Sequence, residues 1–202
     1  LNAENLKPTG WNTPPIAARA KVAAQTDMSI YELHVRDFSA NDGTVSQAYR
    51  GKYMAFTEPN SSGMKHLKGL SDAGLTDIHF LPVFDIATIP EKNCISPLIP
   101  QAAADSEAQQ DAVAATSGVD CFNWGYDPQH FNAPEGSYAT DAADGATRII
   151  EFRRMVQGLN AIGLRVGMDV VFNHTSSSSQ FERSVLDRIV PGYYHRLNGE
   201  GK

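Results

Sequence analysis

Two hydrophobic periods take turns along the chain, and their order predicts the fold class. Residues 29–38, Ser-Ile-Tyr-Glu-Leu-His-Val-Arg-Asp-Phe, alternate apolar and polar side chains and predict a first strand, with polar residues crowded at its C-terminal end. Met64, Leu67 and Leu70 then recur at helical spacing within 63–73, Gly74 stands where a helix would stop, and 75–83 predicts a second strand. Later, Ile149, Phe152, Val156 and Leu159 make one apolar stripe. Arg148, Glu151, Arg153 and Arg154 lie largely off it, so the predicted helix has a solvated charged face. The stretch 166–172 is β-branched and apolar on both faces apart from Asp169, as in a buried parallel strand.

An internal repeat strengthens this reading. Gly69-Leu70-Ser71-Asp72-Ala73-Gly74-Leu75 is echoed by Gly158-Leu159-Asn160-Ala161-Ile162-Gly163-Leu164, and each copy leads into an apolar strand closing on Val-Phe and then Asp85 or Asn173. Two copies of helix, glycine stop and strand imply an α/β fold of βα repeats with right-handed crossovers and parallel strands. Pattern alone leaves a barrel and an open sheet equally open.

In such folds chemistry gathers beyond the C-terminal ends of the strands, which singles out Asp169, Asn173 and His174. A structural acid and an ordinary strand-end histidine are the competing reading. The excursion from 85 to 144 is far longer than a βα loop needs. Its first half, 101–117, is rich in Ala, Gln and Asp and reads as a weakly helical surface segment. Its second half, Cys121-Phe122-Asn123-Trp124-Gly125-Tyr126-Asp127-Pro128, sets three aromatics, an amide and an acid around one glycine. Aromatic faces beside hydrogen-bonding groups suit a sugar ring. The alternative is that Trp124 and Tyr126 only anchor the loop.

Composition narrows the classes. With 202 residues and 42% hydrophobic content the chain can bury a sizeable core, and a net charge of −6 without a basic cluster argues against a nucleic-acid groove or a polybasic membrane surface. No apolar run approaches the roughly 18 residues of a transmembrane span, and no signal peptide is evident. Residues 1–28, with Pro8, Pro14 and Pro15, read as a linker leading into a domain over 29–202, in which 6–11 could dock on a neighbouring module. A start at Leu1 rather than Met points to a piece of something longer. Cys94 and Cys121 bracket one loop at a spacing that fits no zinc pattern. They read as a disulfide, with two unpaired buried thiols as the alternative.

Four stretches resemble the α-amylase superfamily of glycoside hydrolases, and within it the pullulanase-type starch-debranching enzymes. Tyr31-Glu32-Leu33-His34-Val35-Arg36-Asp37-Phe38 is similar to their first barrel strand and Leu81-Pro82-Val83-Phe84-Asp85 to the end of the second. Asn123-Trp124-Gly125-Tyr126-Asp127-Pro128 is similar to a pullulanase hallmark, and Asp169-Val170-Val171-Phe172-Asn173-His174 to the first conserved region of the superfamily. The resemblance runs from Ser29 to the end. It implies a (β/α)8 TIM barrel, of which this chain would hold strands one to three with a long loop after the second.

The resemblance also implies roles. Tyr126 would stack under the glucose at the scissile bond, Asp127 would orient neighbouring groups or bind that sugar, and His174 would donate to its primary hydroxyl. Asp169 would brace the barrel floor, with Asn123, Trp124 and Asn173 in support. No cofactor is required; a structural calcium is possible, since Asn173 corresponds to a calcium ligand in many α-amylases. The substrate would be an α-glucan such as pullulan, amylopectin or a limit dextrin, cut at α-1,6 linkages by a retaining mechanism. Such a mechanism needs a carboxylate nucleophile and an acid about 5 Å apart. The family's Asp and Glu motifs for these roles do not occur here, so they are expected downstream, in the remainder of the same polypeptide. This chain alone is then expected to be inactive. By analogy with bacterial relatives the protein is expected to be secreted or at the cell surface. A non-catalytic glucan-binding protein and an α-1,6 branching or transferring enzyme remain the alternative functions.

Overall fold

Each predicted strand is present in the computed structural model, which describes residues 3–13, 22–196 and 198–199, but each is shorter than its hydrophobic run. In chain order the elements are β1 (Ile30–Leu33), α1 (Val35–Ser39), α2 (Ser62–Asp72), β2 (Asp77–Phe80), β3 (Phe84–Ile86), α3 (Ala108–Ala114), β4 (Pro128–Pro134), α4 (Gly145–Ala161), β5 (Arg165–Met168) and α5 (Leu186–Ile189). β1, β2 and β5 form one parallel sheet in that order, in a mixed α/β arrangement. β3 and β4 form a separate, irregular antiparallel pair.

The first strand was expected to reach residue 38 and stops at Leu33. His34 turns its ring back, and Nδ1 accepts the Asp37 N–H at 3.3 Å, so the polar residues cap a short helix instead of extending the strand. At the far end the sheet is registered by an ion pair. Asp77 and Arg165 are opposite one another in the β2–β5 ladder, and the guanidinium meets the carboxylate with both Nε (3.0 Å) and Nη2 (2.5 Å). Burial alone would raise the Asp77 carboxyl, but hydrogen bonds from Arg165 and Thr76 outweigh it and hold the group below its ordinary value.

The two copies of the repeat stop their helices in the same way. The Leu75 N–H reaches Leu70 O at 3.0 Å and the Leu164 N–H reaches Leu159 O at 3.1 Å, while Gly74 and Gly163 take φ of +115° and +88°. These six-to-one bonds across a left-handed glycine satisfy helix-end carbonyls and aim the chain directly into β2 and β5.

Two expectations of burial are corrected. The predicted strand 166–172 ends at Met168, and β5 is the outer strand of the three-stranded sheet in this chain, where Met168, Val170 and Phe172 are exposed, Phe172 to 77%. The charged face of α4 is not solvated. Glu151 is buried and accepts the Thr140 N–H at 2.8 Å, and Arg148 grips both oxygens of Glu91 at 2.6 and 2.8 Å. Arg153 donates to Leu6 O at 2.8 Å and lies 5.3 Å over the Trp11 ring. Of that set only Arg154 is exposed. The helix has neighbours on several sides, namely the sheet, the 3-10 turn Tyr53–Thr57, the β3–β4 pair and the chain's own 3-10 turn Ala3–Leu6. One apolar stripe cannot serve them all. Residues 6–11 thus dock on α4 of this chain rather than on another module, while 14–21 lie outside the described residues.

Aromatic side chains fill the space between α4 and the sheet. Tyr53, Phe56, Phe80 and Tyr138 are fully or almost fully buried with Met155, Leu159 and Leu164. Phe38 stacks on Phe56 at 4.6 Å between ring centroids, and Phe56 meets Phe80 edge-on at 5.4 Å. The closest approach is at Gly158, where a Cβ would fall 2.3 Å from Phe56 O. A buried acid holds β3 to the chain after β4. Glu135 accepts the Ile86 N–H on Oε2 (2.8 Å) and the Ser137 N–H on Oε1 (2.7 Å), and its own N–H donates to Val83 O at 2.8 Å. Burial raises its carboxyl to about 7 although the two amides favour the charged form. Among the described residues no helix is long and apolar enough to cross a membrane.

Gly158→Ala should destabilise the fold by about 1–3 kcal/mol in chemical denaturation, because steric conflict with the Phe56 carbonyl exceeds the gain in helix propensity. Glu135 should leave a mark on the pH profile. Its unfolded carboxyl ionises near 4.5 and its folded one near 7, so the folded state holds the extra proton between these values. Stability therefore falls as pH rises through that window and levels off above it. The buried His34, whose pKa is depressed by desolvation, acts in the opposite sense. The informative measurement is the difference in melting temperature between the parent and Glu135→Gln, which should shift in favour of the Gln variant as pH goes from 5 to 7.5.

Candidate functional site

The C-terminal ends of β2 and β5 meet where the ladder runs one residue past the strands, through Asp169 N–H to Phe80 O at 2.9 Å. That bond fixes the Asp169 side chain at the sheet's end. The 121–128 loop comes down on the same point. Its turn is forced at Gly125, with φ of +91° and a Pro82 Cβ only 2.7 Å from where a side chain would begin. Asn123 builds the turn from inside. Its Oδ1 accepts the Gly125 N–H at 2.8 Å, and its Nδ2 donates to Thr88 Oγ1 at 2.8 Å. Thr88 in turn donates to Asp127 Oδ2 at 2.6 Å, and the Ala87 N–H reaches Asp127 O at 2.9 Å.

A buried histidine anchors the other flank. His34 Nδ1 is an acceptor, so its ring proton sits on Nε2, which donates to Asn123 O at 2.8 Å with the Tyr138 hydroxyl oxygen 3.1 Å from the same nitrogen. Desolvation holds its pKa below the usual histidine value, in keeping with a neutral ring. Phe122 lies against it at 5.3 Å, and one residue earlier Cys121 is joined to Cys94 by a disulfide, Cα to Cα 4.8 Å. The Ile95 N–H reaches Val119 O at 2.8 Å beside it, so the neck of the long loop is closed.

Held in this way, the loop offers two aromatic rings to solvent. Trp124 is 59% exposed and touches Phe122 edge-on at 5.5 Å; Tyr126 is 40% exposed. The Tyr126 hydroxyl donates to Asp169 Oδ2 at 2.7 Å, and this hydrogen bond raises the phenol to about 12. His174 Nε2 donates to the Tyr126 carbonyl at 2.7 Å, and its Nδ1 takes a bond from Asn173 Nδ2 at 3.0 Å. Tyr126, Asp169, Asn173 and His174 therefore form one cluster. Asn123 and Asp127 do not join it, since their side chains are spent on Thr88 and the turn. Below Asp169 lies an apolar cavity of about 200 Å³ bordered by Val83, Phe131, Phe152 and Met168. An exposed phenol ring fixed by a carboxylate can stack on the C–H face of a sugar, while the flanking His174, with both ring nitrogens engaged, can donate to a sugar hydroxyl only by sharing the Nε2–H it gives to the Tyr126 carbonyl.

Thr88 carries no motif; His34 stands in the 31–38 stretch similar to a first barrel strand, but nothing local in the sequence marks its reach to Asn123. Calcium finds no fitting site in the acidic group that converges among the described residues, Asp85, Glu91 and Glu135. The Arg148 guanidinium already occupies both Glu91 oxygens and lies 3.8 Å from Asp85, the other Asp85 oxygen meets His130, and both Glu135 oxygens take backbone amides. Asn173 is turned to His174.

No protein-family model matches the chain. Curated relatives do. The chain is 46% identical over 208 residues to pullulanase 1, chloroplastic, of Arabidopsis thaliana, covering 100% of this chain and 21% of that protein. It is 40% identical over 239 residues to the pullulanase of Klebsiella pneumoniae, covering 98% of the chain and 22% of the relative. The crystal structure of apo pullulanase from Klebsiella pneumoniae superposes with a TM-score of 0.85 at 37% identity, over 98% of this chain and 25% of that one. The chain spans about a fifth of the length of the curated relatives it matches. Over almost its whole length, in sequence and in fold, the chain is similar to one stretch of these pullulanases.

Proposed function

We propose that the chain is the substrate-stacking part of a glycoside hydrolase that cleaves α-1,6-glucosidic linkages in α-glucans such as pullulan. The observation that carries this reading is the Tyr126 ring, exposed yet fixed by Asp169 and by a loop turned at Gly125. Similarity to pullulanases supports the choice of substrate and of bond over a branching or purely binding role.

In this reading the three parallel strands are the first three of a (β/α)8 barrel, and 29–202 is the front of its catalytic domain. The open outer edges of β1 and β5, with Ile30 and Tyr31 exposed on one and Met168 on the other, support a sheet that continues. The glucose next to the scissile bond lies on Tyr126, and its primary hydroxyl shares the His174 Nε2–H with the Tyr126 carbonyl. Asp169 keeps the phenol in place. The nucleophile and the acid come from later strands of the same polypeptide. The Cys94–Cys121 disulfide supports a non-reducing compartment, as in a secreted or surface protein.

The test is kinetic, on the native polypeptide that contains this chain, with pullulan as substrate. Tyr126→Ala should lower kcat/KM by roughly tenfold or more, the worth of a lost stacking surface, with the melting temperature little changed. Tyr126→Phe keeps the ring and loses only its bond to Asp169, so it should fall between the parent and the Ala variant. Native kinetics in Tyr126→Ala would assign the ring to loop anchoring and remove the reading.

A further inference from the structure

The segment after His174 returns to the site through a buried acid that the sugar platform does not touch directly. Asp187, on the short helix α5, is 3% exposed. Its Oδ2 accepts the Ser179 N–H at 2.6 Å and its Oδ1 the Gly192 N–H at 3.3 Å, and His195 Nδ1 lies 3.1 Å from Oδ2. These contacts gather the loop from three sides, including Ser179, which is held at a φ of +56°. The Ser179 amide, followed by His195, keeps the Asp187 carboxyl below its ordinary value.

The imidazole of His195 passes the constraint on. Its Nε2 lies 2.9 Å from Thr175 Oγ1, and the Thr175 hydroxyl spends its single proton on Ser177 O at 2.7 Å. The threonine oxygen is therefore the acceptor and His195 Nε2–H the donor, so the contact of Nδ1 with Asp187 is the ion pair of an imidazolium, with protons on both ring nitrogens. Threonine, histidine and aspartate in this order have the outline of a hydrolase triad, but a nucleophile must give its proton to the imidazole, and here that proton points to a carbonyl. The chain is built to hold, and what it holds is the residue next to His174. On the other side the Ser176 N–H is tied to Pro128 O at 3.2 Å, and His174 itself to Tyr126 O. His174 thus sits between the aromatic loop and the Asp187 chain.

We infer that Asp187, His195 and Thr175 are positioning residues that set where His174 meets the sugar. This rests on the reading of His174 as a sugar contact. Small displacements of a contacting group cost orders of magnitude when its geometry matters, so the chain should be visible in kinetics and not only in stability.

The experiment is a double-mutant cycle on pullulan with the native polypeptide. His195→Leu should lower kcat/KM about tenfold, chiefly through KM, and in a His174→Ala background it should add no further loss. His195→Gln, whose amide N–H can still donate to Thr175, should recover most of the activity. A full additional loss from His195→Leu in the His174→Ala background, or a Gln variant as poor as the Leu one, would overturn the inference and leave a loop-stabilising contact. If His174→Ala alone has parental kinetics, the sugar-contact reading fails and the inference fails with it. These outcomes are distinguishable.

Discussion

The hydrogen bond from the Asp169 amide to the Phe80 carbonyl carries more than its own energy, because it decides which side chain stands at the end of the sheet. Side chains alternate faces along a strand, so a slip of one residue between β2 and β5 would present Met168 or Val170 to Tyr126 in place of the carboxylate. The register is defended at both ends. Asp77 and Arg165 lock the start of the ladder, and the two matching helix stops deliver β2 and β5 from the same height. The aromatic platform is anchored to that frame through a single phenol–carboxylate contact and through His34, which reaches the loop from the end of β1. All three strands of the sheet thus converge on one loop.

Buried acids do the structural work that metals do in other loop-rich proteins. Glu135, Glu151 and Asp187 each accept backbone amides, that of Ile86 from the end of β3 and those of Ser137, Thr140 and Ser179 from segments without regular secondary structure, which would otherwise bury unpaired N–H groups. The cost is desolvation of the charged form, plainest at Glu135. Arg148 spreads the remaining charge over Glu91 and, at longer range, Asp85.

What was legible in the sequence was what a local signal encodes. The repeat gave both helix stops, because a left-handed glycine and a following leucine are needed wherever such a stop occurs. The Asn-Trp-Gly-Tyr-Asp run gave the platform, because its glycine and its aromatics are adjacent. Partners remote in sequence were invisible. The burial of Glu151 depends on Thr140, that of Arg148 on Glu91, and the tautomer of His34 on a carbonyl in another loop. Strand ends were overestimated for the same reason: apolar composition says that a residue suits a strand, while pairing decides whether one forms. Nothing local in the sequence links Asp187 with His195, whose side chains the fold sets 3.1 Å apart.

The closed neck of the long loop has a consequence for how that loop can change. Cys94 with Cys121 and Ile95 with Val119 and Asp120 bring its ends together before the chain reaches the platform, and α3 beyond them is wholly exposed or half-exposed. The entropic cost of holding those ends together grows only with the logarithm of the loop's length, about 0.6 kcal/mol for a doubling. Length and composition between residues 96 and 118 are therefore free to drift. A protease that cut there would leave the two pieces joined through the disulfide and Trp124 and Tyr126 in their places.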